Sequence, residues 1–76
     1  MATINEIVEY ANNLINSQDI IGFAFERDAG HKIALRISGQ FTKANIEHLI
    51  NQYTEITNYW VESFSGFMEI LYEYEA

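Results

Sequence analysis

Apolar residues along positions 4–15 recur at helical spacing. Ile4, Ile7, Val8, Ala11, Leu14 and Ile15 fall on one face, and Asn5, Glu9, Asn12, Asn13 and Asn16 lie mostly on the other. Thr3-Ile4-Asn5-Glu6 opens this run as a capping box, in which Thr3 and Glu6 each satisfy a free backbone N–H. The asparagine-rich end and Ser17 predict a stop near residue 17.

The period then changes from helical to alternating. Ile21, Phe23 and Phe25 alternate with Gly22, Ala24 and Glu26, and Ile33, Leu35 and Ile37 alternate with Lys32, Ala34, Arg36 and Ser38. Asp28-Ala29-Gly30 lies between them, which predicts a hairpin closed by a three-residue loop with Gly30 in the left-handed region. That loop sets Phe25 opposite Ile33, Phe23 opposite Leu35, Ile21 opposite Ile37 and Glu26 opposite Lys32, so the three aromatic or branched residues of the first strand face the core.

Thr42 is a good N-cap for a second helix. A single stripe of Ile46, Leu49, Ile50, Tyr53, Thr57, Trp60, Val61 and Phe64 supports a helix over residues 43–64 ending at Gly66, with Glu47, Asn51, Glu55, Asn58 and Glu62 on its opposite side. The rival pattern is a second hairpin, residues 58–64 against 67–74 through Ser65-Gly66. The β-branched and Asn content of Thr54 to Val61 lowers the propensity of the long helix, and the spacing of Thr3 and Thr42 invites a doubled αββ unit, but the hairpin opposes Glu62 to Glu69 and turns Trp60 away from the row of Tyr59, Val61, Met68 and Ile70. The long helix is preferred. Met68, Ile70, Tyr72 and Tyr74 alternate with Phe67, Glu69, Leu71 and Glu73, a strand in either case. The expected fold is therefore α+β, one domain over residues 1–76. It is a small two-layer α-β-β-α-β unit with an antiparallel sheet and its helices on one face; the alternative order is α-β-β-α-β-β.

Composition narrows the function classes. Without Cys, neither disulfides nor thiolate metal sites exist. No apolar run approaches the roughly 20 residues of a membrane span, and Met1 leads into polar helical sequence, so a cytoplasmic location and no membrane partner are expected. The net charge is −7, distributed unevenly: residues 1–26 carry −4 (Glu6, Glu9, Asp19, Glu26) and residues 44–76 carry −6 (Glu47, Glu55, Glu62, Glu69, Glu73, Glu75). Between them, residues 27–43 carry +3 (Arg27, Lys32, Arg36 and Lys43 against Asp28). Such a chain is repelled by phosphate backbones, which argues against direct nucleic-acid binding and makes a basic protein surface the natural complement.

No catalytic constellation stands out. Ser17, Ser38, Ser63 and Ser65 lie in no nucleophile motif, and His31 and His48 have no metal-ligand spacing. Glu69, Glu73 and Glu75 alternate along one strand, but nothing near them predicts the pocket needed to perturb a carboxyl group. No enzyme activity, cofactor or metal is expected.

Interaction surfaces are the remaining candidates. The last strand mixes acids with apolar residues, so Glu62, Phe67, Glu69, Leu71, Tyr72, Glu73, Tyr74 and Glu75 form the expected partner-binding set, with apolar anchors and charged steering. Glu47 and Glu55 add a secondary acidic helix face. Gly22, Ala24, Ala34 and Arg36 leave one side of the first hairpin almost bare, a candidate for self-association as a homodimer. In size, charge, lack of Cys and lack of catalytic motifs the chain resembles the small acidic proteins that phages use against host defences, including anti-CRISPR proteins and DNA mimics. That resemblance is of profile and carries no residue roles. The acids are too sparse to imitate a duplex, which bears about one charge per 1.7 Å. The expected function is therefore a protein-binding inhibitor that blocks a basic site, with an immunity protein or antitoxin, or a self-associating scaffold, as alternatives.

Overall fold

A computed structural model of the chain describes all residues, 1–76. Helix α1 (Ile4–Asn16) is followed by β1 (Ile21–Arg27) and β2 (Lys32–Ser38), then α2 (Lys43–Gln52), β3 (Ile56–Phe64) and β4 (Phe67–Tyr74). The four strands form one antiparallel sheet in the order β1-β2-β4-β3. The α+β class is as expected, and the element order is the alternative one, α-β-β-α-β-β.

Both helix starts follow the sequence. Thr3 Oγ1 accepts from Glu6 N while Glu6 receives from Thr3 N, and Thr42 Oγ1 accepts from Asn45 N. The helix expected over residues 43–64 stops at Gln52, where Tyr53 turns extended (φ −129, ψ 120). Ile56, Thr57, Tyr59, Trp60 and Val61 favour a pleated surface, and here that preference wins over the helical stripe. Gly66, expected to end a helix, instead turns the β3–β4 hairpin at φ 88.

The first hairpin forms, in a register one residue from that expected. Its connection runs through a short 3-10 turn, Asp28–Gly30, and His31, with Asp28, Ala29 and Gly30 all at positive φ. Phe25 therefore stands opposite Ala34, Phe23 opposite Arg36 and Ile21 opposite Ser38. Glu26 faces Ile33, while Lys32 reaches Asp28 at 2.8 Å.

This register decides the two layers. The inner face carries Gly22 and Ala24 of β1, Ile33, Leu35 and Ile37 of β2, Ile70 and Tyr72 of β4, and Ile56 of β3. Against it pack Ile7, Ala11 and Ile15 of α1 and Ile46 and Leu49 of α2, with Phe41 closing the core. Ala24 is buried where α1 packs on β1, and Gly22 is kept small by β2, whose Arg36 O and Ile37 side chain leave no room for a Cβ. The Asn12 carboxamide spans the edge of β1, donating to Ala24 O (3.1 Å) and accepting from Ala24 N (2.8 Å), so one sheet edge is covered. Tyr72, fully buried, donates its hydroxyl to Ile46 O at 2.6 Å and fastens α2 to the sheet.

Candidate interaction surface

Both helices lie on the inner side, so the other side of the sheet has no covering layer. Its side chains form four cross-strand rows read from β1 to β3. The first holds Ile21, Ser38, Phe67 and Phe64; the second Phe23, Arg36, Glu69 and Glu62; the third Phe25, Ala34, Leu71 and Trp60; the fourth Arg27, Lys32, Glu73 and Asn58. The first and third rows are mostly apolar, and the second and fourth mostly charged.

Large apolar side chains are exposed here to an unusual degree for a small monomer. Ile21 is 80% exposed, Phe23 53%, Phe64 48% and Phe67 39%. Phe64 and Phe67 stack at 4.8 Å between centroids, and Phe23 and Phe25 lie 5.5 Å apart. The sequence pattern turns Phe23 and Phe25 toward the core and puts Trp60 and Phe64 on the apolar stripe of the expected second helix. The hairpin registers place all four on the outer face instead. The signal was present in Ala24, small where α1 packs on β1.

One ionic cluster organises the centre. Glu69, with its side chain only 7% exposed, receives Arg27 Nη1 and Arg36 Nε, each at 2.7 Å. Arg36 also lies over the Phe25 ring at 5.3 Å, so its guanidinium is held by a carboxylate and an aromatic face together. A cation–carboxylate centre ringed by phenyl groups combines the residue types that carry binding energy at protein interfaces.

The expected partner-binding set divides across the sheet. Glu62, Phe67, Glu69, Leu71 and Glu73 do share the outer face. Tyr72 and Tyr74 point the opposite way: Tyr72 is core, its phenol pushed well above the ordinary 10 by burial, and Tyr74 donates to Ala2 O at 2.7 Å. Glu75 lies past the end of β4. The self-association set is also divided, because Ala24 is buried in the core beneath α1, whereas Ala34 and Arg36 belong to the outer face and Gly22, crowded by β2, lines the groove between Ile21 and Phe23. Glu47 and Glu55 share no helix, since Glu55 lies in the turn before β3 and accepts from Ala2 N at 2.7 Å, a bond that holds its carboxyl below the ordinary range.

Charge follows the same division. On the outer face Arg27, Lys32 and Arg36 balance Glu62, Glu69 and Glu73, so the whole net charge of −7 belongs to the rest of the molecule. On the helix side, Tyr10 stacks on His48 and bonds its Nε2 at 2.6 Å, beside a shallow hollow lined by Glu6, Glu9, Asn13 and Tyr53. No group of three or more His, Asp or Glu side chains is placed to hold a metal ion, and no helix is long and apolar enough to cross a membrane.

Comparison with protein families, curated proteins and solved structures finds no match. The surface itself is the guide to function.

Proposed function

We propose that this chain is a non-enzymatic protein-binding module whose recognition surface is the outer face of its sheet. The observation that carries this reading is the exposure of Ile21, Phe23, Phe64 and Phe67 on a face that neither helix covers. In a two-layer fold the outer positions of an antiparallel sheet are ordinarily polar. Here they hold four phenyl rings and the chain's single tryptophan. The test is affinity capture from a lysate of the native host with the wild-type chain and with Phe23→Ser and Phe67→Ser. A partner retained by wild type and lost with both variants supports the reading. Capture that neither substitution weakens overturns it.

The segregation of charge favours a second, compatible reading for the opposite side. Away from the outer face every charge but Lys43 is acidic, with Glu6, Glu9 and Glu47 on the helices; such a surface suits a basic protein, and a module of this kind inhibits by occupying it. Glu9→Lys combined with Glu47→Lys tests this: an inhibitor of a basic site loses affinity and salt dependence together, whereas unchanged capture removes the helix layer from consideration.

A further inference from the structure

The outer face is polarised across its strands. Its cations, Arg27, Lys32 and Arg36, all lie on β1 and β2, and its acids, Glu62, Glu69 and Glu73, all lie on β4 and β3. Its relief is polarised the same way. On the β1–β2 side a groove of about 270 Å³ runs over Arg36 and Ser38 between Ile21, Phe23 and Phe67. On the β3–β4 side the stacked Phe64–Phe67 pair stands up as a ridge.

We propose that the occupant of this face is a second copy of the chain, packed sheet to sheet about a two-fold axis parallel to the strands. The inference rests on the protein-binding reading above and names its partner. A two-fold rotation about that axis exchanges the halves of the sheet and keeps each cross-strand row at its own level. The basic half of one copy then meets the acidic half of the other. Lys32 approaches Glu73, Arg36 approaches the Glu69–Glu62 row, and Phe25 packs on Trp60. The Phe64–Phe67 ridge enters the groove beside Ile21. A two-fold axis perpendicular to the strands would instead set β1 against β1 and reverse the order of the rows, so that Arg36 meets Ala34, Glu69 meets Leu71 and Arg27 meets Ile21, and charged groups are desolvated without partners, which is costly. A foreign partner would have to carry the inverse of this pattern of charge and relief, and the chain carries that inverse itself. Sheets packed this way lie about 10 Å apart with strands roughly aligned. Four strands about 4.8 Å apart and about 23 Å long give a footprint of roughly 450 Å² per copy, below that of a standard specific interface, so association is expected to be weak and reversible, in the micromolar range or above.

The test is sedimentation across a dilution series, with Trp60 fluorescence as an internal reporter. The expected result is a species of twice the 8.8 kDa chain mass that dissociates on dilution, with Trp60 emission moving to the red. Phe64→Ser and Phe23→Ser, both at exposed positions, are each expected to weaken association roughly tenfold or more while circular dichroism stays that of wild type. The axis is tested separately in this cysteine-free chain. Ile21→Cys mixed with Phe64→Cys is expected to cross-link through a short bismaleimide, and neither variant alone is. A dimer indifferent to both serine substitutions overturns the proposal, as edge-to-edge pairing through β3 would; so does efficient cross-linking of either cysteine variant alone. A monomer up to roughly millimolar concentration that still captures a partner through Phe23 and Phe67 overturns the second copy but leaves the protein-binding reading standing. A monomer without face-dependent capture overturns both.

Discussion

Glu62 and Glu69 stand directly opposite one another on β3 and β4, and the sheet accommodates them because only Glu62 faces solvent. The carboxylate of Glu69 turns across β2 and is held by Arg36 and Arg27 from the first hairpin. A like-charge pair that is costly between two isolated strands is neutralised once the other two strands are in place.

Removal of these two glutamates should therefore have opposite consequences. Glu69→Ala leaves two guanidinium groups without their shared acceptor and should destabilise the fold by about 1–3 kcal/mol, toward the lower end because both arginines are partly exposed. Glu62→Ala removes repulsion only and should be neutral or stabilising by a few tenths of a kcal/mol. Urea unfolding of the two variants beside wild type checks the contrast.

Gly22 is required by contact rather than by backbone conformation. A Cβ there would lie 2.6 Å from Arg36 O and 2.7 Å from Ile37 Cδ1. Gly22→Ala is expected to cost about 1–3 kcal/mol through overpacking. Gly66→Ala meets no atom within 4 Å and should cost only the left-handed strain of its turn, about 1–2 kcal/mol. Thermal melts of both variants distinguish crowding from strain if Asn is compared at each position: Asn tolerates the left-handed region and should recover part of the loss at residue 66, and it should deepen the loss at residue 22.

Asn12 protects the β1 edge. Asn12→Ala should destabilise by about 1–3 kcal/mol, because Ala24 loses the partners of its N–H and C=O in a partly buried place. Amide exchange reads this locally: the Ala24 N–H should lose protection more than the Leu35 N–H. Equal loss at both positions would mean that the whole hairpin, rather than its edge, depends on Asn12.

Among the groups whose titration the fold perturbs, Tyr72 and Glu55 each bond a distant backbone segment and so tie stability to pH. Burial raises the Tyr72 phenol above its ordinary 10.0, with Tyr59 adding to the shift. The stability it contributes is complete below that ordinary value and is lost as pH rises from there toward the folded-state value, since only the unfolded chain ionises readily. Tyr72→Phe should lose about 1 kcal/mol at neutral pH with its hydrogen bond to Ile46 O, and should show a shallower alkaline loss than wild type. The Ala2 backbone N–H lowers Glu55 below its ordinary 4.5, so its contribution is present above that value and lost as pH falls through the lower folded one. Unfolding midpoints measured from pH 3 to pH 11 test both limbs.

Most of the elements were legible, and their faces were not. Capping chemistry at Thr3 and Thr42 is local, so it located both helix starts. Alternation found β1, β2 and β4 but left open which alternating set is buried. In β1 the large residues, Ile21, Phe23 and Phe25, invite the inside assignment, yet α1 packs on the small set's face, where Ala24 is buried and Gly22 is confined by β2. For residues 53–64 a helical stripe and a run of β-formers coexist, and the argument against the hairpin was the Glu62–Glu69 pair. Its resolution lies in Arg27 and Arg36, far away in sequence and near only after folding. Of the expected partner-binding set, Glu62 on β3 and Phe67, Glu69, Leu71 and Glu73 on β4 share one face of the sheet. Tyr72, Tyr74 and Ala24 were misassigned because a strand's two faces cannot be told apart until something covers one.

The division of charge between the two sides has an experimental corollary. Net charge and exposed apolar surface belong to different parts of the molecule, because the outer face sums to zero and the remainder carries −7. Added salt screens the acidic remainder and the charged rows of the sheet alike, and leaves the apolar rows nearly untouched. To an ion in solution the protein is a monopole on one side and a dipole on the other.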